Sequence, residues 1–86
     1  MNIASAYQQI LTLSRQMLET GMAQNWDKLV ELEAQRHGLF AQIAGQQLSP
    51  AMVPVLQEIK HCDDELREKV EAWLGHAKIL LRMKDS

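Results

Sequence analysis

A long apolar stripe at helical spacing constrains the fold of this chain more than any other feature. From Met52 to Leu80, apolar residues recur every three or four positions, the spacing that places them on one face of an α-helix. The stripe consists of Met52, Leu56, Ile59, Leu66, Val70, Trp73, Ala77 and Leu80, with Asp63 filling one register position. An unbroken helix over this stretch would be roughly 45 Å long at about 1.5 Å per residue. Two earlier stripes support helices of only about 20 residues. We therefore expect part of the third helix to extend beyond its neighbours.

The two earlier helices are predicted over about residues 3–22 and about 26–44. Apolar residues cover one half of the first helix, an arc wide enough to contact two neighbours at once. Asn25 is the predicted N-cap of the second helix, because a short polar side chain there accepts a hydrogen bond from the first turn. The apolar stripe of the second helix consists of Trp26, Leu29, Leu32, Leu39, Phe40 and Ile43.

The third helix is predicted over about residues 50–83, with Ser49 as its N-cap and Pro50 at its first position. Pro54 disfavours helical geometry in the residue before it, so the first turn is expected to be separate from the regular helix. No run of residues alternates with the period of a strand. The prediction is an all-α chain, one domain over residues 1–86, folded as an up-down-up antiparallel three-helix bundle with a long third helix.

Three polar residues interrupt the apolar stripes of the second and third helices, namely Glu33, Arg36 and Asp63. If these two helices fold back on each other about the loop, the three residues lie at about the same height. We predict that Arg36 forms an ion cluster with Asp63, Glu33 or both, and that this cluster fixes helix register. Trp26 is then expected beside Val70, and Gly38 is expected to allow close approach of a neighbour. Beyond that level nothing remains within the chain to cover Trp73, Leu74, Ala77, Leu80 and Leu81.

Charge and composition exclude several classes of protein. The formal charge is −2 with both signs interspersed, so no basic patch predicts direct binding of nucleic acid. No Lys/Arg-faced amphipathic segment indicates a membrane surface, and no apolar stretch approaches the ~20 residues needed for membrane insertion. The N-terminus lacks the charged start and apolar run of a signal peptide. The single cysteine, Cys62, cannot form an internal disulfide, and the expected location is the cytoplasm.

Catalytic signals are weak. Residues 61–64 read His-Cys-Asp-Asp, but adjacent positions of a helix point in different directions and cannot converge on a metal. Cys62 lies on the apolar face and is interpreted as a small packing residue. Ser14 has no neighbouring His or acid to activate it. We expect no enzyme activity, no metal site and no cofactor.

One run of motifs resembles a known family over most of the chain. A Leu- and Gln-rich helix is followed by Asn25-Trp26-Asp27-Lys28-Leu29-Val30-Glu31-Leu32-Glu33. Then come Arg36 with Leu39-Phe40 and Ile43, a proline-containing loop, and a helix carrying Ile59 and Asp63-Asp64-Glu65-Leu66. This pattern resembles the FliT family of flagellar type III export chaperones, and the Trp-Asp followed by Leu and Glu is its most distinctive part.

The resemblance implies a cytoplasmic, non-enzymatic chaperone in bacterial flagellum biogenesis. Such a protein binds the C-terminal helical segment of the filament-cap protein FliD, prevents premature assembly and delivers FliD to the type III export apparatus. In enteric members it also binds the flagellar master transcription regulator and acts as a negative regulator. The family often carries a further C-terminal helix that inhibits binding. For a chain that stops at Ser86, we expect either no autoinhibition or a bend at Gly75 that takes over that task.

The predicted partner-binding site is a groove between the second and third helices that takes an amphipathic client helix. Its predicted lining is Val55, Ile59, Cys62, Leu66, Val70 and Trp73, with Lys69 at the polar rim. Each apolar member also has an interpretation as a core residue. For Trp73, the core and the interface interpretations carry equal weight.

The alternative function is a structural coiled-coil module without a client. In this hypothesis the chain forms a homodimer through the free end of the third helix. An antiparallel pair would cover residues 73–81.

Overall fold

Three α-helices form an antiparallel up-down-up bundle. The computed structural model describes the backbone of residues 2–85 and the side chains of residues 2–75. The helices are α1 (Ile3–Met22), α2 (Trp26–Ile43) and α3 (Val53–Asp85), and a short 3-10 helix (Pro50–Met52) precedes α3. The bundle measures 55 × 22 × 21 Å. With 33 residues, α3 is roughly 50 Å long and occupies nearly the whole long dimension. The predicted all-α class with a long third helix is confirmed.

Polar side chains set the helix starts. The side chain of Asn25 accepts a hydrogen bond from the Lys28 amide at 3.4 Å and caps α2. Ser49 accepts from the Ala51 amide at 3.3 Å, and Pro50 then begins the 3-10 turn. The α1–α2 connection is tight because Gln24 takes a left-handed conformation with φ of 59°. Both connections are short, so consecutive helices run antiparallel.

The central element is α1, which packs along both other helices. The backbones of α2 and α3 do not approach each other comparably, and these two helices meet through long side chains. Gly21 allows the close approach of α1 to α3, since a β-carbon at this position would overlap Leu66 Cδ1. No described atom lies within 4 Å of the corresponding position on Gly38. The expectation that Gly38 allows close packing is wrong, because its helix face points away from the bundle.

The core consists of two clusters at opposite ends of the bundle. We call the end near Pro50 the proline end, and its fully buried members are Ala6, Tyr7, Ile10, Leu11, Ile43, Met52 and Ile59. We call the other the tryptophan end, since it contains Trp26 and Trp73. Its fully buried members are Met17, Leu32 and Leu66, packed against the partly buried Leu13, Leu18, Leu29 and Val70.

The α3 helix runs through Gly75 without a break in its helical hydrogen bonding and ends at Asp85. The side chains of Ala77, Leu80 and Leu81, expected to be uncovered, lie outside the described residues. Within the part of the chain that the structure describes, no helix is both long and apolar enough to span a bilayer.

Candidate partner-binding surface

Two tryptophans meet at one end of the bundle. Trp26 is the first residue of α2 and Trp73 lies on α3, and their ring centroids are 5.1 Å apart with planes inclined by 55°. This tilted arrangement is favourable for aromatic rings. The expectation that nothing in the chain covers Trp73 is therefore wrong, because the long Trp26 side chain reaches it. The cover is partial, since Trp73 remains 39% exposed.

A cavity of about 300 Å³ opens beside the tryptophan pair. Its lining residues are Gly21, Met22, Gln24, Trp26, Lys69, Ala72 and Trp73. Met22 is exposed and Trp73 is partly exposed, so large apolar side chains remain accessible to water around this cavity. We define the tryptophan-end patch as Met22, Trp26 and Trp73. An apolar patch with a cationic side chain, Lys69, at its edge is typical of an interaction surface.

A polar network connects the three helices at mid-height. Arg36 Nη1 on α2 lies 2.5 Å from Asp63 Oδ1 on α3 and also donates a hydrogen bond to Ser14 Oγ on α1 at 3.0 Å. Ser14 Oγ in turn donates to the Ile10 carbonyl at 2.8 Å, and Ser14 is only 1% exposed. The predicted contact of Arg36 with Asp63 is confirmed. Glu33 is exposed and makes no ion pair with Arg36 among the described side chains.

The space between α2 and α3 is bridged at three levels. Ile43 of α2 and Ile59 of α3 belong to the same buried cluster at the proline end. The Arg36–Asp63 ion pair spans the middle, and the tryptophan pair spans the other end. A client helix that entered here would have to displace these contacts. At the tryptophan end, by contrast, accessible apolar side chains line an open cavity.

A second groove, of about 630 Å³, runs between α1 and α2 on the outside of the bundle. Its lining consists of Ser5, Gln8, Gln9, Thr12, Leu13, Gln16, Gln35 and Leu39. None of these side chains is charged and only two are apolar. The groove therefore offers amide and hydroxyl groups but little apolar surface for a client.

The outer face of α3 carries mixed charges. Asp64 pairs with Lys60 at 2.9 Å and with Arg67 at 3.0 Å, and the hydrogen bond from Lys60 holds the pKa of the Asp64 carboxyl below its ordinary value. Burial raises the pKa of the Cys62 thiol. Within the described residues, no group of three or more His, Cys, Asp or Glu side chains is placed to hold a metal ion.

The sequence matches one family along nearly its whole length. A model of the family described as flagellar protein FliT matches residues 4–83. The flagellar protein FliT of Yersinia pseudotuberculosis (serotype O:3, strain YPIII) is 38% identical over 84 residues, which cover 98% of this chain and 68% of the relative. The FliT of Yersinia pestis (strain Pestoides F) is 37% identical over the same shares. No solved structure matches the chain.

The chain belongs to the FliT family. The resemblance expected from the segment that begins at Asn25 is thus confirmed, and the protein is a flagellar protein. In this FliT-family fold, the Trp26 of that segment is the residue that reaches across to α3.

The FliT-family fold separates the residues predicted to line the client groove into three groups. Ile59, Cys62 and Leu66 are buried in the core. Val55 and Val70 are partly buried against the two clusters. Lys69 and Trp73 line the cavity at the tryptophan end.

Sequence reasoning missed two contributors to this surface. Met22 is the last residue of α1, and its position at a helix end is the signal that could have indicated exposure. Trp26 is only partly buried, because a residue at the first position of α2 has no preceding helical turn to cover it.

Proposed function

We propose that this FliT-family protein is a cytoplasmic export chaperone for the filament-cap protein FliD. It binds the C-terminal helical segment of FliD, prevents premature assembly and delivers FliD to the type III export apparatus. Membership of a flagellar family supports the cellular process. The tryptophan-end patch is the observation that carries the binding proposal, because it presents Met22 and Trp73 to solvent at the edge of a cavity.

The chemistry of the patch suits an amphipathic helix. Apolar side chains spaced three or four positions apart on a client helix would bury against Met22, Trp26 and Trp73. Tryptophan contributes strongly to binding because it buries a large rigid surface. Lys69 at the rim would attract an acidic client residue and fix the direction of the helix.

The buried members of the predicted groove set a limit on the binding mode. Ile59, Cys62 and Leu66 pack toward α1, so a client would reach them only if α3 moved away from α1. We therefore propose that first contact involves Lys69, Val70 and Trp73, which are accessible or partly accessible in the folded bundle. Val55 lies at the opposite end and is proposed to contact only a client long enough to follow α3.

The natural tryptophans provide the first test. Trp26 and Trp73 are the two tryptophans of the chain, and both belong to the patch. Titration with a peptide of the FliD C-terminal segment that lacks tryptophan should therefore change the intrinsic fluorescence of this protein. In a parallel pull-down, intact FliD should bind and FliD without that segment should not. Equal capture of both forms would contradict C-terminal recognition, and capture of neither would contradict the chaperone proposal.

A matched pair of variants tests the surface. Trp73→Ala is expected to weaken FliD binding at least about tenfold, the effect of losing one strong interface anchor. Leu48→Ala is the control, since Leu48 is 48% exposed but lies in the loop at the proline end. Circular dichroism must show that both variants are folded. If the two variants bind FliD as the wild type does, the patch is not the client site.

Cys62 reports whether the client also enters the core. Its thiol is buried and its pKa is raised, so reaction with a thiol reagent should be slow in the free protein. If the client binds only at the patch, the labelling rate should stay slow in the complex. Faster labelling on binding would mean that α3 separates from α1, and it would favour the groove lined by Ile59, Cys62 and Leu66 over the patch.

A further inference from the structure

Met22 differs from the other methionines with described side chains in its exposure. Its side chain is 60% exposed, whereas Met17 and Met52 are 3% and 7% exposed and belong to the two buried clusters. A thioether that water reaches is also accessible to dissolved oxidants, and a buried thioether becomes accessible only when the structure opens. Among these three methionines, oxidants should therefore react first at Met22.

The end of α1 fixes the backbone around Met22. In the turn that follows, the Gln24 amide donates a hydrogen bond to the Gly21 carbonyl at 3.1 Å, and the Asn25 amide donates to the Thr20 carbonyl at 3.0 Å. Met22 itself belongs to neither buried cluster. A chemical change of its side chain should therefore alter the surface and leave the core packing intact.

The cysteine of the chain competes poorly for an oxidant. Cys62 is buried, and burial raises the pKa of its thiol. Since the thiolate is the form of cysteine that attacks an oxidant, a buried neutral thiol reacts slowly. Among the sulfur atoms of the described side chains, Met22 Sδ is thus the accessible one.

Oxidation at Met22 would change the chemistry of the tryptophan-end patch. Met22, Trp26 and Trp73 line the same cavity of about 300 Å³. The thioether of methionine is apolar and polarisable, and it packs favourably against aromatic rings and apolar partners. A sulfoxide is polar, so burying it against an apolar partner costs free energy unless a hydrogen-bond donor meets it.

We propose that Met22 is a reversible oxidation site that lowers the affinity of the tryptophan-end patch for its client. Hydrogen peroxide transfers one oxygen atom to Met22 Sδ. The sulfur–oxygen bond forms as the oxygen–oxygen bond breaks, the sulfur loses two electrons to the peroxide, and water leaves. A methionine sulfoxide reductase reverses the step with two electrons from a dithiol, which becomes a disulfide as the oxygen leaves as water. The effect on the client rests on the proposed chaperone function, whereas the oxidation site does not.

Limited oxidation of the full chain tests the site without any client. The chain is treated with hydrogen peroxide, and tandem mass spectrometry measures the sulfoxide fraction at Met17, Met22 and Met52 over time. Met22 should oxidise at least about tenfold faster than the two buried methionines, because only they require opening of the fold. Circular dichroism should show unchanged helix content while Met22 oxidises. Equal rates at the three positions, or loss of helix as Met22 reacts, would overturn the proposal.

Two substitutions separate oxidation of Met22 from damage elsewhere. Met22→Leu keeps an apolar side chain of similar size but has no sulfur, and Met22→Gln imitates the polarity of the sulfoxide. Calorimetry measures binding of the tryptophan-free FliD peptide. Peroxide treatment should weaken binding by the wild type about fivefold, and a sulfoxide reductase should restore it. Untreated Met22→Gln should bind about as weakly as the oxidised wild type, and Met22→Leu should bind like the wild type before and after treatment.

The Met22→Leu variant also decides which residue is responsible. If peroxide weakens its binding as much as that of the wild type, another residue causes the loss and the proposal is overturned. Failure of the untreated wild type to bind the peptide would contradict the chaperone function instead. The oxidation rates at Met17, Met22 and Met52 would then decide the proposed site alone.

Discussion

The two ends of the bundle differ in the size of their buried apolar clusters. At the proline end, all three helices and the 3-10 turn contribute to a cluster with seven fully buried members. At the tryptophan end the cluster has three, and Trp73 and Leu74 remain substantially exposed. The proline end therefore has the larger buried apolar cluster. The tryptophan end combines a smaller cluster with exposed apolar side chains around a cavity.

The largest expected effect tests the proline end directly. Ile10 is 0% exposed at the centre of the proline-end cluster, and Ile10→Ala should lower the free energy of unfolding by about 3–4 kcal/mol. Leu74→Ala, at the exposed end, should cost less than about 1 kcal/mol. Urea denaturation of both variants measures the contrast. Similar losses for the two would mean that the ends do not differ in stability.

The next effect concerns the network between the two ends. Arg36→Met keeps the aliphatic stem but removes the partner of Asp63 and of the buried Ser14 hydroxyl. We expect a loss of about 2 kcal/mol, chiefly from the charged hydrogen bond that Ser14 Oγ accepts, since Asp63 is 41% exposed and solvent screens its charge. Ser14→Ala in the Arg36→Met background should then cost little more. Additive losses from the two substitutions would show that they do not act through one network.

A smaller effect measures the cohesion of the tryptophan end itself. A double-mutant cycle of Trp26→Ala and Trp73→Ala should give a coupling energy of about 1 kcal/mol, typical of a tilted aromatic pair. Thermal or urea unfolding of the four proteins provides the values. A coupling near zero would indicate that the rings do not stabilise the fold and that their exposed area serves binding alone.

The smallest effect lies in the turn beside the tryptophan patch. Gln24→Gly should raise the free energy of unfolding by about 0.5 kcal/mol, because φ of 59° strains a residue that has a β-carbon. Ala23→Gly is the matched control and should destabilise, since Ala23 has φ of −81° and gains only flexibility. Opposite signs for these neighbours would confirm the turn geometry, whereas equal signs would contradict it.

The sequence predicted the features that depend on local chemistry and periodicity. Asn25 and Ser49 signalled helix starts because their side chains suit an N-cap, and the spacing of apolar residues indicated the fold class. The Arg36–Asp63 contact followed from counting residues back from the loop. Each of these rests on interactions within a few turns of helix or on helix length alone.

Features that depend on how helices rotate against each other were not predictable in this way. A helical wheel shows that Ile59 and Leu66 are on an apolar face but not whether α1, α2 or a partner covers that face. The central position of α1 assigns them to the core. A helical wheel likewise does not show that the Trp26 side chain is long enough to contact Trp73 on α3. The hydrogen bond of Ser14 was not predicted, because its donor, Arg36, belongs to another helix.

The central position of α1 has a consequence for synthesis on the ribosome. The helix that both others require is translated first, and its wide apolar arc finds its last partner only after residues near Leu66 have been added. At bacterial elongation rates of about 5–20 residues per second, that interval lasts a few seconds. The apolar arc of α1 therefore lacks its last partner until the third helix emerges, so the complete bundle can form only late in synthesis.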